Sequence, residues 1–530
     1  MAKALAIRVE NAPNIKLSKM TKDEKELLGL AFSCFMDAAA TDTGRATAYN
    51  TKEEQEAAAK RIHTDLLSID RGIYGLSLLL PGVTDRTRQE GLANLLDSEA
   101  KDSVLAPNQE GRLVCHLTSE LPPQRMLKMF EKFRERRINN SRTRKLILRT
   151  ILRAQKVGFW AVKYKKKVGS ALRHAWGGKI AGAIKSIVAK PGPSRSDKEV
   201  RILNDNLFRF CEIGDGCAFK TRQEVEEVVG FVLGASWDFT MPLLKAYANA
   251  KSDLSAAKRL PVEVLEGFRG RFHKDTTREN LLKLAKNDLT THQKLSMQRQ
   301  MKEADVKVEV DPREYDAVRL YVYAMEMGMT AEFRQVLDQK AKKSAAGMPI
   351  KYSKVGIVVD ASSSMMGDKT QKNKPMAVVL ATRDMLENTG KKSVVRYAGG
   401  KDGQHGLVYP CGDTSLAESL VEVLKDVPEV VFILSDGYEN APAGRVAEVV
   451  GLVRKLGIKT PIHQISPVMA AESHGVRSLG EGISALPIHK PEAMSLTLLK
   501  SMFELDVEKG VSALMGLTLP VLESSVGKEE

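Results

Sequence analysis

Apolar residues recur at helical spacing through most of the chain, up to about residue 346. Segments with this pattern are 21–39, 51–69, 89–105 and 221–237. Their apolar side chains return every three or four positions, which predicts amphipathic helices. Thr21 with Glu24, and Thr51 with Glu54, have the spacing of a capping box, which marks a helix start. Residues 20–346 show no strict internal period, but their successive helix pairs without strand patterns predict a helical-repeat ring or solenoid.

The pattern changes at Tyr352, after which short apolar, β-branched runs alternate with helices. The predicted strands are 354–360, 393–400, 429–437 and 460–466, and the predicted helices are 375–390, 414–426 and 444–457. This alternation is typical of a doubly wound α/β domain with a largely parallel sheet. Folds of this kind bind ligands at the carboxyl ends of their strands.

These two patterns predict three regions. Residues 1–349 form the helical-repeat region, residues 350–505 form the α/β domain, and residues 506–530 form a C-terminal tail. The tail has a helical stretch followed by an acidic end. Within the first region, the Pro, Gly and Ser residues of segment 190–197 predict the clearest break between helices.

Positive charge is concentrated in one part of the chain. The whole chain has 81 Lys and Arg against 66 Asp and Glu, a formal net charge of +15. Residues 125–190 contain 20 Lys and Arg and only two acids, a local net charge of +18, so the remainder carries −3. A short charge run is usually a solvated helix face, but this concentration repels itself unless counter-charge binds. The abundant intracellular polyanion is nucleic acid, whose phosphates release counterions when they are neutralised.

The order of residues within this basic segment (residues 125–190) predicts two helices joined by a cationic loop. Its helix-spaced apolar residues are Met126, Leu127, Phe130, Phe133, Leu146, Ile147, Ile151 and Leu152. Asn139, Asn140 and Ser141 between them predict a turn and a helix N-cap. Further along, Phe159, Trp160, Tyr164 and Trp176 alternate with lysines and arginines. Such aromatics stack on unpaired bases in some proteins, although Trp160 and Trp176 fit a hydrophobic core equally well.

We therefore predict that the basic segment binds RNA. The candidate contact residues are Arg134, Arg136, Arg137, Arg142, Arg144, Lys145, Arg149, Lys163, Lys165, Lys166, Lys167 and Arg173. Single-stranded ends or structured small RNA are favoured over duplex DNA, because the chain has no recognition-helix signature. Anionic membranes are a weaker alternative because the segment has no clear lipid-inserting face.

A second candidate site lies in the α/β domain. The first predicted strand ends in Asp360, followed by Ser362 and Ser364, and Asp436 follows the apolar run 430–434 of a later strand. Between them Thr414 begins a helix. A serine-rich turn alone is the simpler interpretation of the first motif. Three loops that bring together carboxylates and hydroxyls, without His or Cys, suit a hard divalent ion, Mg²⁺ first and Mn²⁺ second. These few protein oxygens leave coordination positions for water or a partner's carboxylate.

At these residues the chain resembles the von Willebrand factor A domain. The metal-ion-dependent adhesion site (MIDAS) of that domain uses a D-x-S-x-S motif, a loop threonine and a loop aspartate. Matched residue by residue, the resemblance assigns metal binding to Asp360, Ser362, Ser364, Thr414 and Asp436, and it covers about residues 350–505. Lys369, Lys372 and Lys374 in the first loop add a cationic rim, which favours an acidic partner.

The combination of a long helical region with one such domain resembles the Ro autoantigen (TROVE) family. That resemblance implies a ring of HEAT-like helical repeats, a Rossmann-like von Willebrand factor A domain, and binding to small noncoding and misfolded RNAs. It rests on architecture, length and the metal-site motif. No RNA-contacting position is transferred from the family, so the basic segment remains an inference from charge.

Several enzyme classes are disfavoured, and we expect no catalysis. The segment 389–393 imitates the end of a phosphate-binding loop, but its upstream glycine position is Met385. A haloacid-dehalogenase-type phosphotransferase would need an aspartate where Ser362 stands. Cys and His residues show no zinc-ligand spacing, and no nucleophile-elbow glycine pattern supports a serine hydrolase.

Two remaining expectations concern location and an alternative role. The apolar runs are shorter than the ~18 residues that span a bilayer, no secretory signal pattern is visible, and five scattered cysteines indicate a reducing compartment. We therefore expect a cytoplasmic protein. The alternative function is a protein-only adaptor, in which the metal site captures an acidic residue of a partner such as an AAA+ ATPase of the MoxR or chelatase type.

Overall fold

The structure, a computed structural model, is mostly helical and ends in a parallel sheet followed by two helices. It describes residues 20–42, 51–98, 105, 107–235, 238–257, 259–285, 289–348, 351–367, 371–440, 442–467 and 477–524. The chain forms two compact units. The sheet unit comprises Met1–Gly91, Ala100–Leu113 and Asp311–Glu530, and the helical unit comprises Leu92–Glu99 and Val114–Val310.

The predicted boundary between residues 349 and 350 lies outside the described residues. The sheet unit nevertheless draws its helices from both sides of that boundary. Within the described part of the chain, every helix is too short or too polar to cross a lipid bilayer.

The N-terminal helices begin where the capping boxes predicted. They are α1 (Lys22–Thr41), α2 (Lys52–Ile69), α3 (Arg71–Ser77), α4 (Asp85–Asp97) and α5 (Pro107–Glu120). The Thr21 hydroxyl accepts a 3.2 Å hydrogen bond from the backbone N–H of Glu24. In return, the Glu24 carboxylate accepts a 2.7 Å hydrogen bond from the backbone N–H of Thr21. Thr51 and Glu54 form the same reciprocal pair. Both capping boxes are therefore confirmed.

In the part of the chain that the structure describes, the helical unit continues with twelve α-helices in series. They are α6 (Pro123–Glu135), α7 (Ser141–Leu152), α8 (Val157–Lys163), α9 (Lys165–Trp176), α10 (Gly178–Val188), α11 (Asp197–Asn206), α12 (Arg222–Leu233), α13 (Pro242–Asn249), α14 (Val262–Phe272), α15 (Arg278–Ala285), α16 (Thr291–Ser296) and α17 (Gln298–Glu303). Asn140 is the N-cap of α7, as predicted, and accepts a 2.9 Å hydrogen bond from the Thr143 N–H. The predicted apolar faces of α6 and α7 are buried.

Helix α9 is central to the helical unit, where it contacts α6, α7, α8, α10 and α12. A Cβ atom on Gly169 would lie 2.6 Å from the carbonyl oxygen of Val232, so the glycine permits the close approach of α9 to α12. Trp176 at the end of α9 is buried, and its indole N–H donates a 2.8 Å hydrogen bond to the Asn206 carbonyl. Trp176 is therefore a core residue, whereas Trp160 is half-buried.

The last part of the sheet unit contains α18 (Ala317–Met327), α19 (Ala331–Ala346), α20 (Lys374–Glu387), α21 (Leu416–Lys425), α22 (Arg445–Lys455), α23 (Met494–Leu505) and α24 (Val507–Ser524). Its strands are β1 (Tyr352–Ala361), β2 (Gly390–Gly399), β3 (Lys401–Asp402), β4 (Val408–Tyr409), β5 (Val430–Leu434), β6 (Ile462–Pro467) and β7 (Ser484–Ile488). Five strands form one parallel sheet in the order β2-β1-β5-β6-β7, while β3 and β4 pair as a small antiparallel hairpin. The prediction of a parallel sheet alternating with helices is confirmed.

The order of the sheet reverses at β1, because β2 lies on one side of it and β5 on the other. Val359 of β1 is in register with Leu434 of β5, so both strands end at the same edge. Apolar residues of β1 and β5, including Val358 and Ile433, pack with α21 and α22 in one buried cluster. Loops at such a switch point form a crevice suited to ligand binding.

Two further packing features complete the sheet unit. A buried polar network joins α18 and α19 to α20: the Tyr321 hydroxyl donates to Asp384 at 2.5 Å, and Arg334 lies 3.1 Å from the same carboxylate. At the other end, α1 packs against α23 and α24, where Phe32 stacks on Phe503 with ring centroids 3.5 Å apart. Much of the predicted tail is thus a helix packed into the unit, while its acidic end at 525–530 lies outside the described residues.

Candidate functional site

The first loop of the candidate metal site follows β1. Asp360 is the second-last residue of β1 and is fully buried. One oxygen of its carboxylate, Oδ1, accepts a 3.0 Å hydrogen bond from the Ser362 N–H. The Ser362 and Ser364 hydroxyl oxygens lie 3.1 Å apart, at the start of a short 3₁₀ segment. Because Ser362 is buried and Ser364 is exposed, the motif runs from the sheet interior to the surface.

The loop after β5 meets this first loop directly. The Ser435 hydroxyl donates a 2.7 Å hydrogen bond to the second carboxylate oxygen of Asp360, Oδ2. Asp436 is half-buried, and its Oδ1 accepts a 3.1 Å hydrogen bond from the Tyr438 N–H. The two predicted carboxylates therefore belong to neighbouring loops at one edge of the sheet.

The loop that carries Thr414 is bonded to both of the others. The Ser363 N–H donates a 3.0 Å hydrogen bond to the Gly412 carbonyl, and the Thr414 N–H donates one of 3.2 Å to the Asn440 side-chain carbonyl. Gly399 lies beneath this loop with a φ of +74°, where a Cβ atom would approach the Cys411 carbonyl oxygen to 2.7 Å. Only glycine fits that close turn without displacing the loop. The predicted convergence of three loops is present.

The electrostatics of this edge are those of an unneutralised acidic site. Burial raises the pKa of Asp360, and the neighbouring Asp436 raises it further, while hydrogen bonds from Ser362 and Ser435 lower it. Neither carboxylate forms an ion pair with a Lys or Arg of the described residues. Lys372 is exposed, Lys374 donates a 2.9 Å hydrogen bond to Gln371, and Lys369 lies outside the described residues.

The donor set fits a hard divalent ion. Its five predicted ligands offer two carboxylates and three hydroxyls, which are the oxygen ligands that Mg²⁺ and Mn²⁺ prefer. Across the described residues there is no group of three or more His, Cys, Asp or Glu side chains placed to hold a metal. A metal at Asp360 and Asp436 would therefore depend on the hydroxyls of Ser362, Ser364 and Thr414 as well.

The candidate RNA-binding residues fall on two parts of the helical unit. The first part is the corner between α6 and α7, which we call the α6–α7 corner. Its candidate residues are Arg134, Arg136, Arg137, Arg142, Arg144, Lys145 and Arg149. All are exposed except the half-buried Arg136, which donates a 3.0 Å hydrogen bond to Asn94. Arg144 donates to Asn139 within the corner, and Arg134 donates to Ser170 of α9 at 2.6 Å.

The second part is the end of α8 and the start of α9. Its candidate residues are Lys163, Lys165, Lys166, Lys167 and Arg173. Lys163 is nearly buried and forms a 2.8 Å ion pair with Glu263, while Lys167 pairs with Glu131 at 3.0 Å. The exposed Arg173 donates to the Leu233 carbonyl. Part of this cationic group therefore stabilises the fold, and Lys165 and Lys166 remain for other contacts.

Sequence reasoning missed the cations that face Lys165 and Lys166. Lys251, just after α13, and Arg271 of α14 line the same cavity as these lysines, together with Tyr247 and Phe272. A local signal existed, because residues 268–272 read Phe-Arg-Gly-Arg-Phe and so mix arginines with aromatic residues, as the basic segment does. What the sequence lacked was any indication that α14 packs against α8 and lines the same cavity as the start of α9.

Comparison with known proteins adds no relative for this chain. Neither a family model nor a curated protein matches it.

Proposed function

We propose that this protein is an RNA-binding scaffold of a ribonucleoprotein, which binds small noncoding or misfolded RNA without catalysing a reaction. Three exposed cations of the α6–α7 corner carry this proposal. Arg137, Lys145 and Arg149 are exposed, and none of them forms an ion pair or side-chain hydrogen bond with another described residue. Surface cations without acidic partners repel each other, and bound phosphates reduce that repulsion.

The architecture supports the same role. A largely helical chain with one C-terminal parallel sheet is compatible with the arrangement expected from the resemblance to the Ro family. We propose that the helices form HEAT-like repeats of a ring or solenoid, and that the sheet belongs to a von Willebrand factor A domain. None of the five cysteines, all of which lie among the described residues, forms a disulfide, which accords with a reducing, cytoplasmic location.

For the sheet edge we propose a Mg²⁺ site, with Mn²⁺ as a substitute. Asp360, Ser362, Ser364, Thr414 and Asp436 would supply the protein oxygens, and a partner's carboxylate would complete the coordination. The supporting observation is the buried Asp360 carboxylate, whose pKa is raised by burial and by the nearby Asp436. A divalent cation would offset the burial of this charge and its repulsion from Asp436.

The decisive experiment measures RNA on the purified protein and then removes the corner charges. The full chain purified at low salt should carry nuclease-sensitive RNA that high salt releases. Replacing Arg142, Arg144 and Lys145 with Glu should then weaken binding of that RNA strongly. A matched control replaces Lys391, Lys392 and Arg396 with Glu, because these exposed cations belong to the sheet unit. Equal affinity in both triple variants would exclude the α6–α7 corner as the RNA surface.

The second candidate function is a metal-dependent adaptor for an acidic protein, such as an AAA+ ATPase of the MoxR or chelatase type. The exposed Lys372 beside the oxygen-rich loops favours it. In that case the protein would purify without RNA and would ignore added RNA. Capture of the partner would disappear in the presence of EDTA and in Asp360→Ala.

A further inference from the structure

A cavity of about 740 Å³ lies within the helical unit. Three stretches of chain surround it: residues 162–167 where α8 passes into α9, the end of α13 with Lys251, and α14 from Val264 to Phe272. Its volume falls in the range of small-molecule pockets, which runs from about 300 to about 1,000 Å³. The lining combines positive charge with aromatic rings, and each of these has a separate chemical consequence.

The positive charge of the cavity is only partly neutralised. Of its lining cations, Lys163 and Lys167 pair with Glu263 and Glu131. The other four cations have no ion pair with any part of the chain that the structure describes. They are Lys165, Lys166, Lys251 and Arg271. Two acids that are close to these cations in the sequence have other partners: Asp253 accepts a hydrogen bond from Ser255, and Glu266 pairs with Arg269 and Arg278. Four cations around one space repel each other unless an anion enters it.

Lys165 is a half-buried cation of this group that has no counter-ion among the described residues. Its ammonium group lies 3.8 Å from the centroid of the Phe231 ring and 5.5 Å from that of Tyr247. Burial lowers the pKa of Lys165, and the charge of Lys251 lowers it further. The aromatic rings offer only a weak substitute for a counter-ion. A phosphate between Lys165 and Lys251 would be a strong one, because hydrogen bonds between charged groups are stronger than neutral ones.

The start of α9 adds further positive charge that an anion would neutralise. Lys165, Lys166 and Lys167 occupy the first turn of this helix, and no side chain caps its N-terminus. Helix N-termini carry partial positive charge and unpaired N–H groups, so they favour acidic residues and disfavour lysines. Three lysines in this turn therefore oppose the local rule for helix stability. A bound phosphate would satisfy both the N–H groups and the side chains.

The aromatic rings form the other wall. Tyr247 and Phe268 have ring centroids 4.9 Å apart, and Phe268 and Phe272 are 5.7 Å apart. Phe272 is 42% exposed, and the Arg271 guanidinium lies 5.2 Å from its ring centroid. An exposed ring beside a cation is the arrangement that proteins use to stack an unpaired base next to its phosphate.

We propose that this cavity binds a single nucleotide, with its phosphate at Lys165, Lys166 and Lys251 and its base against Tyr247 and Phe272. As part of the proposed function, the nucleotide belongs to an unpaired segment of the bound RNA, and the inference rests on that function. A free mononucleotide has the same chemistry, so the experiment must distinguish the two sources.

The test uses the full chain and three probes: adenosine 5′-monophosphate, inorganic phosphate and a single-stranded oligoribonucleotide. Isothermal titration should detect the mononucleotide binding more tightly than phosphate. The double variant Lys251→Glu with Arg271→Glu should weaken mononucleotide binding by about tenfold or more, the loss expected for charged hydrogen bonds. Phe272→Ala should weaken the mononucleotide by about tenfold, as for a lost base stack, without affecting phosphate.

Matched variants separate the cavity from the α6–α7 corner. Lys245→Glu with Lys274→Glu makes the same charge change at exposed positions near α13 and α14 that do not line the cavity, and it should leave mononucleotide binding unchanged. Reversal of Arg142, Arg144 and Lys145 should weaken the oligoribonucleotide but not the mononucleotide. Lys251→Arg keeps the charge and should bind nearly as the wild type does, which would assign the loss in the double variant to charge.

The outcomes are distinct. Weakening of both nucleotide probes by the cavity variants supports the inference with RNA as the source. Mononucleotide binding without oligoribonucleotide binding supports the cavity as a site for free nucleotide and overturns the proposed RNA function. Failure of the mononucleotide to bind, or equal binding by the cavity and control variants, overturns the inference and leaves the corner to be judged by its own test.

Discussion

The Ser435 hydroxyl donates a 2.7 Å hydrogen bond to the buried carboxylate of Asp360. This bond joins the loop after β5 to the end of β1, and the Gly437 N–H in turn donates to the same hydroxyl at 3.1 Å. Both carboxylate oxygens of Asp360 thus accept a hydrogen bond from a serine, Oδ2 from the Ser435 hydroxyl and Oδ1 from the Ser362 N–H. These bonds hold the carboxylate in place while leaving lone pairs for a further ligand.

Asp360→Asn should separate two effects of the buried charge: its destabilisation of the fold and its proposed binding of Mg²⁺. The pKa of Asp360 is raised, so without a cation its contribution to stability falls as pH rises through that pKa. In EDTA at neutral pH the variant should unfold at the same temperature as the wild type or higher. Added Mg²⁺ should stabilise the wild type but not Asp360→Asn, by about 2.7 kcal/mol when its concentration is about 100 times Kd.

Asp426→Asn is the matched control, because Asp426 pairs with Lys354 near the opposite end of β1. It should respond to Mg²⁺ as the wild type does. Thermal unfolding with and without Mg²⁺ measures all three proteins. A Mg²⁺ effect of equal size in Asp360→Asn would show that the ion binds elsewhere.

RNA affinity should fall steeply with salt, because each phosphate contact releases a counterion. The logarithm of affinity should decline linearly with the logarithm of salt concentration. Reversing Arg142, Arg144 and Lys145 should make that slope shallower by about 0.7 for each single-strand phosphate contact that is lost. Fluorescence anisotropy over a salt series measures it. A lower affinity with an unchanged slope would argue against phosphate contacts at these residues.

Local signals in the sequence located most of the elements. The capping boxes at Thr21 and Thr51, and the N-cap at Asn140, were predicted from spacing alone because their hydrogen bonds join residues three apart. The loops of Asp360 and Asp436 were predictable for a related reason: parallel strands bring their carboxyl ends to one edge. This prediction required only that the strands be parallel, and the alternation of strands and helices in the sequence indicated that.

Strand β7 escaped prediction because its sequence violates the usual strand pattern. It contains Pro487, which cannot donate a hydrogen bond to the interior of a sheet. The structure places β7 at the edge of the sheet, which is where proline is tolerated. The cavity escaped for another reason, since Lys165 and Arg271 are far apart in the chain and no local pattern records their proximity. The packing of α1 on α23 and α24 is non-local in the same way.

Tyr321→Phe should destabilise the sheet unit by about 1–3 kcal/mol, the cost of leaving a buried polar group without its partner. The hydroxyl of Tyr321 donates to Asp384 and accepts a 2.7 Å hydrogen bond from Arg334, so its loss affects both. Tyr323→Phe is the matched control on the same helix, because Tyr323 stacks on Phe333 and its hydroxyl has no hydrogen-bond partner among the described residues. Denaturant unfolding measures the free energy of unfolding of both variants. Equal losses of stability would show that the hydrogen bonds of the Tyr321 hydroxyl are not the cause.

The stability of the sheet unit should fall at low pH partly because of His489. Its Nδ1 is buried without a hydrogen-bond partner, and burial lowers its pKa to about 3, helped by the charges of Lys490, Lys374 and Arg88. An unfolded histidine titrates near 6.5. Between about 6.5 and about 3 the unfolded chain therefore binds a proton that the folded chain does not, so stability decreases as pH falls through this window.

His489→Asn should remove that contribution, so its stability relative to the wild type should rise as the pH is lowered from 7 to 5. The exposed His405 provides the control, because His405→Asn changes a histidine that lacks this burial. Unfolding free energies at several pH values measure the difference between each variant and the wild type. If the two differences change in parallel with pH, the burial of His489 is not the cause of the acid sensitivity.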